Sequence, residues 1–395
     1  MDAGISASYP RLSALDHMMA SATGPTPRVC LLHNYRERRQ MSMKLYAEQL
    51  GAALERRGIL VTRVRPPDVL RERWRRLPLL DKVDSYVGRF AVYPRIARRL
   101  NADIFHVVDH GQGYLLKSLD PARTVVTCHD IILLVLASGR LGSAFRPPFA
   151  VHVLRHAVQT MRRTRWIIAD SEQTRRDLAS LGDIDAATVR VVYPGLNYAY
   201  RPMPDEREET RRKWLLGDGP VVLHVGQTEF YKNIEGCLRV IRELRRQGLN
   251  ATFVHAGHLL RPSQQALSER FGLNGMVRDL GPLSNEDLAS LYAASDVLLF
   301  PSLYEGFGWP PLEAMASGVP VVCSRSGSLP EVVGDAALTA EPEDVRGLTE
   351  HVAAALTDSK LADALRARGF ARAGRFGWDR AASQIVEVYD EVAAG

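Results

Sequence analysis

Cysteine is scarce in this sequence, and long uncharged hydrophobic segments are missing. The 395 residues include four cysteines, none of them in a CxxC pair. Their wide spacing predicts buried, reduced thiols. The longest apolar run, residues 131–137, has the length of a strand or loop and is too short to cross a membrane. Residues 1–26 contain no apolar signal-peptide core, so we expect a flexible tail on a cytoplasmic protein.

The positive charge is concentrated in the first half of the chain. The formal net charge is +6, and arginine is dense between residues 56 and 99, including the segments 71–76 and 95–100. A second cluster lies at 162–165. Such clusters are typical either of solvated helix faces or of surfaces that attract anionic lipid, at the inner face of a membrane, or a phosphate-bearing acceptor. Nucleic acid is disfavoured, because no recognition motif accompanies the charge.

The chain length and the order of the predicted elements indicate two α/β domains. A chain of 395 residues is too long for one ordinary core. Strand-length apolar runs alternate with helical stretches, which is the pattern of parallel sheets covered by helices on both faces. Pro194 and Gly195 follow the last strand of the first series. We therefore predict a first domain at 27–197 and a second at 198–377.

One segment, residues 296–344, contains the clearest strand–loop–helix–strand unit. Val297–Phe300 is an apolar run of strand length, and the loop after it contains Gly306 and Gly308. A helix is predicted at 311–317, followed by a second buried strand. This order is that of one parallel βαβ unit.

Two prolines determine where this helix is predicted to begin. The residue before a proline is disfavoured in the helical region, so Trp309 and Pro310 are expected outside the helix and Pro311 at its first position. Glu305 then lies in the loop, and Glu313 lies in the first helical turn. The unpartnered N–H groups of that turn and the neighbouring glycines suit an anion such as phosphate.

Two carboxylates beside an anion site favour a ligand with both phosphate and hydroxyl groups. A carboxylate accepts two hydrogen bonds from a vicinal diol. A nucleotide-sugar has a diol on its ribose and another on its hexose, with a diphosphate between them. The alternative is that Glu305 is a solvated loop residue and that Glu313 is an ordinary helix-start residue. The spacing of the two glutamates alone does not decide between these interpretations.

The segment EGFGWPPLEAMASGVPV resembles the signature of family 4 of the retaining glycosyltransferases. That family has the GT-B fold, in which two Rossmann-like domains face a cleft. The resemblance implies that Glu305 contacts the transferred sugar and that Glu313 binds the ribose hydroxyls. Trp309 stands where the family usually has a smaller aliphatic residue, and the last helix, 378–394, resembles one that returns to complete the N-terminal domain. The amides that approach the sugar and phosphates would be those of Gly306, Phe307 and Gly308.

Three further segments are compared with the family position by position. In the turn GQTEFYKN, Lys232 matches a lysine on the diphosphate, while Gln227 replaces the usual arginine and weakens or neutralises one phosphate contact. His129, at the end of the predicted strand in TVVTCHD, resembles a histidine that faces the transferred sugar. The alternatives are that Lys232 is an ordinary surface lysine and that His129 has a structural role. The first loop, 34–42, has no glycine where many relatives have a pair, and its arginines either supply charge to the phosphates or face water.

The resemblance implies a retaining glycosyltransferase of polysaccharide biosynthesis. It would move a hexose from a GDP- or UDP-linked donor, GDP-mannose included, to a glycan or lipid-linked acceptor. The predicted catalytic residues are His129, Glu305 and Lys232, with Lys232 and the helix starts stabilising the departing diphosphate. In the family a phosphate oxygen takes the acceptor proton, and a double displacement through a carboxylate is the alternative. No cofactor or metal is predicted, because the DxD spacing of Asp183 and Asp185 falls in a turn.

Two other functions fit the same residues. One is a same-fold enzyme of another reaction, such as a nucleotide-sugar epimerase or a phosphorylase, although nothing marks the lysine that a phosphorylase uses for pyridoxal phosphate. The other is a nucleotide-sugar-binding protein without activity. The glutamate pair and Lys232 argue against that function, whereas Gln227 and the glycine-free first loop leave it open.

Overall fold

The structure is a computed structural model, and it describes residues 27–34, 41–70, 77–142 and 148–394. The predicted tail at 1–26, most of the first loop and the arginine-rich segment 71–76 lie outside the described residues.

The first half of the described chain forms a six-stranded parallel sheet. Its strands are β1 Arg28–Leu32, β2 Leu60–Val64, β3 Ile104–Val107, β4 Thr124–Cys128, β5 Trp166–Ala169 and β6 Val189–Val191. They lie side by side in the order β2-β1-β3-β4-β5-β6. Every residue of β3 and β4 is buried, as expected for central strands of a parallel sheet covered on both faces.

The second half forms another six-stranded parallel sheet. Its strands are β7 Val221–Gly226, β8 Thr252–Gly257, β9 Val277–Asp279, β10 Val297–Phe300, β11 Val321–Ser324 and β12 Leu338–Ala340. They lie in the order β12-β11-β10-β7-β8-β9. The predicted α/β class with two parallel sheets is thereby confirmed, while the exact domain boundaries stay a prediction.

Helices connect and cover the strands of both sheets. In the first half they are α1 Met41–Arg56, α2 Pro78–Val87, which continues through a π-helical turn at Gly88–Val92 into α3 Tyr93–Ala97, α4 Ile132–Ala137, α5 Pro148–Met161 and α6 Glu172–Gly182. In the second half they are α7 Arg207–Lys213, α8 Ile234–Arg246, α9 Pro262–Arg270, α10 Asn285–Ala294, α11 Trp309–Ala316, α12 Leu329–Val333, α13 Val345–Thr357, α14 Ser359–Ala373 and α15 Trp378–Ala394.

Each sheet has an apolar core on both of its faces. Along β10, Leu298 and Phe300 belong to one core while Val297 and Leu299 belong to the other. This alternation follows from the two-residue period of a strand, in which successive side chains point to opposite faces. Continuous apolar runs are therefore buried on both sides, which is why the sequence shows no alternation of polar and apolar residues there.

The last helix packs against the first half of the chain. Trp378 and Tyr389 of α15 share a core with Tyr46 and Leu50 of α1. The Tyr389 hydroxyl lies 2.7 Å from Nδ1 of His106, a buried residue of β3. This packing places α15 beside the sheet of the first half, although the helix follows all strands of the second.

The apolar run at 131–137, which has the length of a strand or loop, forms a helix over most of its length. α4 buries Leu134, Val135 and Leu136 in the core of the first sheet. A short apolar run has no periodicity that separates a buried strand from a buried helix, and the packing against neighbouring elements decides. Among the helices of the described ranges, none has the length and apolar content required to cross a bilayer.

Candidate active site

An ion pair between two of the predicted catalytic residues, Lys232 and Glu305, lies beyond the ends of β7 and β10. The Lys232 ammonium donates to Oε1 of Glu305 at 2.7 Å and to Oε2 at 2.9 Å. The two side chains are only 14% and 10% exposed. Nζ of Lys232 also lies 5.5 Å from the centre of the Phe300 ring. The pair therefore holds a cation in a partly dry environment, where its interaction with an anion is stronger than in water.

The loop that carries Glu305 is fixed from the side of α12. Ser328 Oγ donates to the carbonyl of Glu305 at 3.1 Å and to the carbonyl of Phe307 at 2.6 Å. A Cβ at Gly327 would lie 2.6 Å from the Glu305 carbonyl oxygen, and Gly327 has a φ of +58°. Only glycine fits this close approach, so the two carbonyls are held in one orientation. Neither Gly327 nor Ser328 was identified as a candidate from the sequence.

Helix α11 begins at Trp309, two residues before the predicted start. Gly308, with φ of +104°, is the residue before the helix, and Pro310 and Pro311 both lie in the first turn. The first N–H groups of a helix have no intrahelical partner, so two prolines are tolerated there without the loss of a hydrogen bond. Two consequences correct the sequence prediction. Glu313 lies in the second turn, and the prolines remove two of the N–H groups expected to bind an anion.

Glu313 is buried beside two tyrosines. Its Oε2 accepts a hydrogen bond from the Tyr292 hydroxyl at 2.8 Å. Burial raises the pKa of Glu313 to about 7, while hydrogen bonds from Tyr292 and Tyr200 oppose the rise. Tyr292 lies on α10, and Tyr200 lies in the connection between the two sheets. The carboxylate is thus a hydrogen-bond acceptor held between phenols, and neither tyrosine was identified from the sequence.

The turn between β7 and α8 positions Lys232. Asn233 precedes the helix with φ of 55°, and its side chain accepts from the backbone of Gly236. The same side chain donates to the carbonyl of Pro301 at 3.0 Å, beyond the end of β10. Asn233 therefore connects the turn that carries Lys232 with the loop that leads to Glu305. Gln227, at the other end of this turn, is half-buried.

His129 is buried at the end of β4 with both ring nitrogens engaged. Nδ1 lies 2.5 Å from Oδ2 of Asp170, and Nε2 lies 2.8 Å from the carbonyl oxygen of Val108. A carbonyl only accepts, so Nε2 carries a proton. Burial alone would lower the pKa of His129. The charge and hydrogen bond of Asp170, together with the charge of Asp109 and the hydrogen bond to Val108, outweigh burial and raise the pKa to about 9. His129 is therefore a cation without a free lone pair, unsuited in this arrangement to accept a proton.

We expect the His129–Asp170 pair to make stability depend on pH. The pKa of His129 is about 9 in the folded chain against 6.5 for a free histidine. Its contribution is therefore complete below pH 6.5 and is lost as the pH rises through 9, a difference of about 3 kcal/mol. Urea denaturation at a series of pH values measures it. In His129→Gln this loss should disappear, and an unchanged pH profile in that variant would assign the effect to another group.

The two halves of the chain meet beside this histidine. A Cβ at Gly306 would lie 2.6 Å from the His129 carbonyl oxygen. Thr174 Oγ1, at the start of α6, donates to that same carbonyl at 3.1 Å. The structure thus brings the glycine loop of the second half against the end of β4. Lys232 and Glu305 lie at one end of this loop, whereas Glu313 contacts a separate set of residues.

Two carboxylates fasten the halves to each other. Glu331 of α12 accepts from the backbone amides of Glu172 and Gln173 at 2.8 and 2.9 Å, at the N-terminus of α6. Asp177 of α6 accepts from the Tyr304 hydroxyl at 2.8 Å. Each contact joins residues more than a hundred positions apart, so the sequence contained no signal for either. Both contacts would break if the two halves of the chain moved apart.

Asp183 and Asp185 lie in a turn between α6 and β6, as predicted. Asp183 has φ of 52° and ends α6, and it forms an ion pair with Arg162. Asp185 accepts from the backbone of Ala187 at 2.9 Å. Both side chains therefore have local structural partners. Across the described residues, no group of three or more His, Cys, Asp or Glu side chains is arranged to hold a metal ion.

Two protein-family models match the chain, one in each half. Residues 43–200 match the model described as Glycosyltransferase Family 4. Residues 206–372 match the model described as Glycosyl transferases group 1. The second match includes Lys232, Glu305 and Glu313.

Individual proteins of known activity or structure are similar to most of the chain. The O-antigen chain mannosyltransferase B of Escherichia coli is 32% identical over 321 residues, which cover 80% of this chain and 81% of that protein. The serotype-specific mannosyltransferase WbdA of Escherichia coli is 30% identical over 275 residues, 68% of this chain but 33% of that longer protein. The structure of sucrose-phosphate synthase from Thermosynechococcus elongatus superposes with a TM-score of 0.73 at 22% identity, covering 93% of this chain and 99% of that chain.

Proposed function

This chain belongs to family 4 of the glycosyltransferases and has their GT-B fold, and we propose that it is a retaining mannosyltransferase. The donor would be GDP-mannose, and the acceptor a glycan or lipid-linked glycan of a surface polysaccharide. The mannosyltransferase names of two relatives support the choice of mannose. The observation that carries the proposal is the Lys232–Glu305 pair at the glycine loop between the two halves.

Lys232 is proposed to neutralise the departing diphosphate. Its ammonium donates to both oxygens of Glu305. A diphosphate in the cleft would take over the ammonium, and the Glu305 carboxylate would then accept hydrogen bonds from the mannose hydroxyls. Stabilisation of charge that develops on the leaving group is often the largest contribution to catalysis. Phe307 and its flanking glycines, Gly306 and Gly308, would contribute backbone amides, while Gln227 would add a neutral contact.

The acceptor proton is proposed to pass to a phosphate oxygen of the donor. His129 has no free lone pair, and it is therefore not the proposed base. Its proposed role is to place a fixed positive charge and the backbone of the β4 end beside the sugar. A front-face substitution of this kind retains the configuration at the anomeric carbon. No cofactor or metal is required.

Donor turnover tests the proposed function directly. The full chain is incubated with GDP-mannose, GDP-fucose, UDP-glucose or UDP-N-acetylglucosamine, with and without a mannose-terminated oligosaccharide acceptor. We expect release of GDP from GDP-mannose, stimulated by acceptor, and an α-linked product by NMR. Conversion of the donor without release of nucleotide would indicate an epimerase. Binding without turnover of any donor would indicate a binding protein.

Replacing Glu313 with alanine should weaken binding of free GDP by about 1–3 kcal/mol, the range for hydrogen bonds to a charged group. The reason is the proposed contact of its carboxylate with both ribose hydroxyls. Calorimetric titration measures the affinity. Tyr292→Phe is the matched control, because it removes the hydroxyl contact at 2.8 Å and keeps the carboxylate. Unchanged affinity in a folded Glu313→Ala protein would remove this residue from the donor site.

Activity should survive a chelator. Asp183 and Asp185 are engaged in a turn, and the charge of the diphosphate is proposed to be compensated by Lys232 and backbone amides. The measurement is GDP release in excess EDTA, compared with the same enzyme after addition of magnesium or manganese. Turnover that stops in EDTA and returns with either ion would show that a metal supplies this compensation.

A further inference from the structure

Two buried histidines lie side by side on neighbouring strands of the second sheet. His224 belongs to β7 and His255 to β8, and the two residues are paired in register. Both are fully buried, and their Nδ1 atoms are 3.1 Å apart, which is hydrogen-bond distance. They interrupt two otherwise apolar strands, VVLHVG and TFVHAG. A valine at either position would pack there without the cost of burying a polar ring.

The neighbours of the pair fix which ring nitrogens carry protons. Nε2 of His255 lies 2.7 Å from the carbonyl oxygen of His258, and a carbonyl only accepts, so this nitrogen carries a proton. A neutral His255 then has a lone pair on Nδ1, to which Nδ1 of His224 donates. Burial and the charges of His255 and Lys232 lower the pKa of His224, and they outweigh a hydrogen bond with the Lys232 backbone. Burial also lowers the pKa of His255, so both rings are neutral at neutral pH.

The pair is anchored to the end of β7. The backbone amide of His258 donates to the carbonyl of Gly226 at 3.2 Å. A Cβ at Gly257 would lie 1.9 Å from that same carbonyl oxygen, so the two strand ends approach as closely as only glycine allows. These contacts link the end of β7 back to the His224 ring through the other two histidines. The ring is therefore held in one orientation.

The His224 ring lies beside the path of the Lys232 side chain. It stacks on the ring of Phe300, with the centres 5.6 Å apart and the planes at 21°. Nζ of Lys232 lies 5.5 Å from the centre of the same Phe300 ring. A Cβ at Gly226 would lie 3.6 Å from Cε1 of His224 and 4.0 Å from Cδ of Lys232, so the imidazole and the lysine stem flank one narrow space. The orientation of His224 therefore bears on where the ammonium lies.

We propose that His224, held by His255, is a positioning residue for Lys232. The neutral pair keeps the His224 ring against Phe300 and the lysine stem, and so keeps the ammonium directed at the diphosphate. A protonated pair would place a second cation beside the ammonium and repel it. The inference rests on the proposed function, in which Lys232 stabilises the departing diphosphate.

Steady-state kinetics in a double-mutant cycle test the proposal. We expect His224→Leu to lower kcat for GDP-mannose about tenfold or more, with a smaller change in KM, because a displaced ammonium loses its alignment with the leaving group. In the Lys232→Ala background the same substitution should change kcat by less than about twofold, since it acts through the lysine. His224→Asn should recover most of the turnover, because its amide takes the place of Nδ1 and donates to His255.

A buried residue of the same strand provides the matched control. Val222 is fully buried in β7, two residues before His224. Val222→Ala should be less stable than the unmodified chain in urea denaturation, since it removes buried methyl groups, and it should keep its kcat. Equal losses of kcat in Val222→Ala and His224→Leu would assign the effect to general destabilisation and overturn the proposal. Unchanged kcat in His224→Leu, or the same loss with and without Lys232, would also overturn it.

Nitrogen-15 NMR of the full chain with labelled histidine and lysine gives a measurement that does not depend on turnover. At neutral pH the ring signals should identify an Nδ1–H tautomer in His224 and an Nε2–H tautomer in His255. His224→Leu should shift the Nζ signal of Lys232, assigned with Lys232→Ala, whereas Val222→Ala should not. A protonated pair, or a Lys232 signal that stays in place in His224→Leu, would contradict the positioning role. A shifted signal in a chain that releases no GDP would support this role and contradict the proposed function.

Discussion

Replacing Lys232 with alanine should lower the turnover number for GDP-mannose by about 10²–10³-fold, the loss typical of removing one donor from a charge-stabilising site. The ammonium is held 2.7 and 2.9 Å from the two carboxylate oxygens of Glu305, and both groups are largely buried. Since the negative charge on the diphosphate grows as the glycosidic bond breaks, the loss should appear mainly in kcat and less in KM. Steady-state kinetics of GDP release measure both.

The controls separate this effect from a loss of stability. Lys213→Ala removes another lysine of the second half, one that forms an exposed ion pair with Asp287, and it should keep full turnover. Lys232→Ala leaves the Glu305 carboxylate buried without its partner, which destabilises the fold. The double variant Lys232→Ala, Glu305→Gln removes that unpaired charge. A folded Lys232→Ala protein with turnover within about tenfold of the unmodified chain would contradict the proposed role.

His129→Ala should lower turnover by about 10²-fold while GDP affinity stays nearly unchanged. The nucleotide is expected to rest on the second half, whereas His129 lies at the end of β4 in the first half, against Gly306. Loss of its charge and of its contact with Val108 would displace the β4 end from the sugar. Kinetics and calorimetry on the same variant separate the two effects. Abolished GDP binding in a folded variant would show that the proposed division of roles is wrong.

The variant also leaves a buried charge, which requires its own control. Asp170 is 1% exposed, and it would lose its partner in His129→Ala. Removing one member of a buried ion pair typically destabilises a protein by about 3–5 kcal/mol. The double variant His129→Ala, Asp170→Asn avoids this cost. If both variants lose turnover equally, the effect belongs to His129 and not to partial unfolding.

Closure of the cleft is expected to accompany donor binding, because no single half holds all the candidate groups. The contacts of Tyr304 with Asp177 and of Glu331 with the start of α6 are those that closure would form. Small-angle scattering should show a smaller radius of gyration with GDP than without it. Tyr304→Phe should reduce this compaction. An identical radius in both states would indicate that the halves do not move when the nucleotide binds.

The motif segment was predictable from the sequence because its signals are local. Apolar runs of strand length, the glycines at 306 and 308 and the helix after them form one βαβ unit, and the strand β10 begins and ends where predicted. The lysine turn before α8 was equally local, with Asn233 as its helix cap. In a parallel sheet such units bring their loops to the same edge, so the meeting of Lys232 and Glu305 followed from the topology.

Sequence reasoning was wrong where two local preferences competed. The rule that a residue before proline avoids the helical region placed the start of α11 at Pro311, but the helix begins at Trp309. Gly308, with φ of +104°, turns the chain early, and the first turn needs no N–H groups from the prolines. The Trp309 indole donates to the carbonyl of Gly195 at 3.1 Å, a contact in which a smaller aliphatic residue could not take part.

Local periodicity and spacing predicted the class of the fold and the two parallel sheets, because both are properties of neighbouring residues. Glu305, Glu313 and Lys232 were found through a family resemblance, and their roles stay predictions. The packing of distant elements set what surrounds these side chains. It placed Asp170 on His129, Tyr292 on Glu313 and Glu331 on the start of α6. The last of these contacts spans 159 positions in the chain. Burial and distant partners fix the charge of a side chain, and both arise only when separate elements pack together.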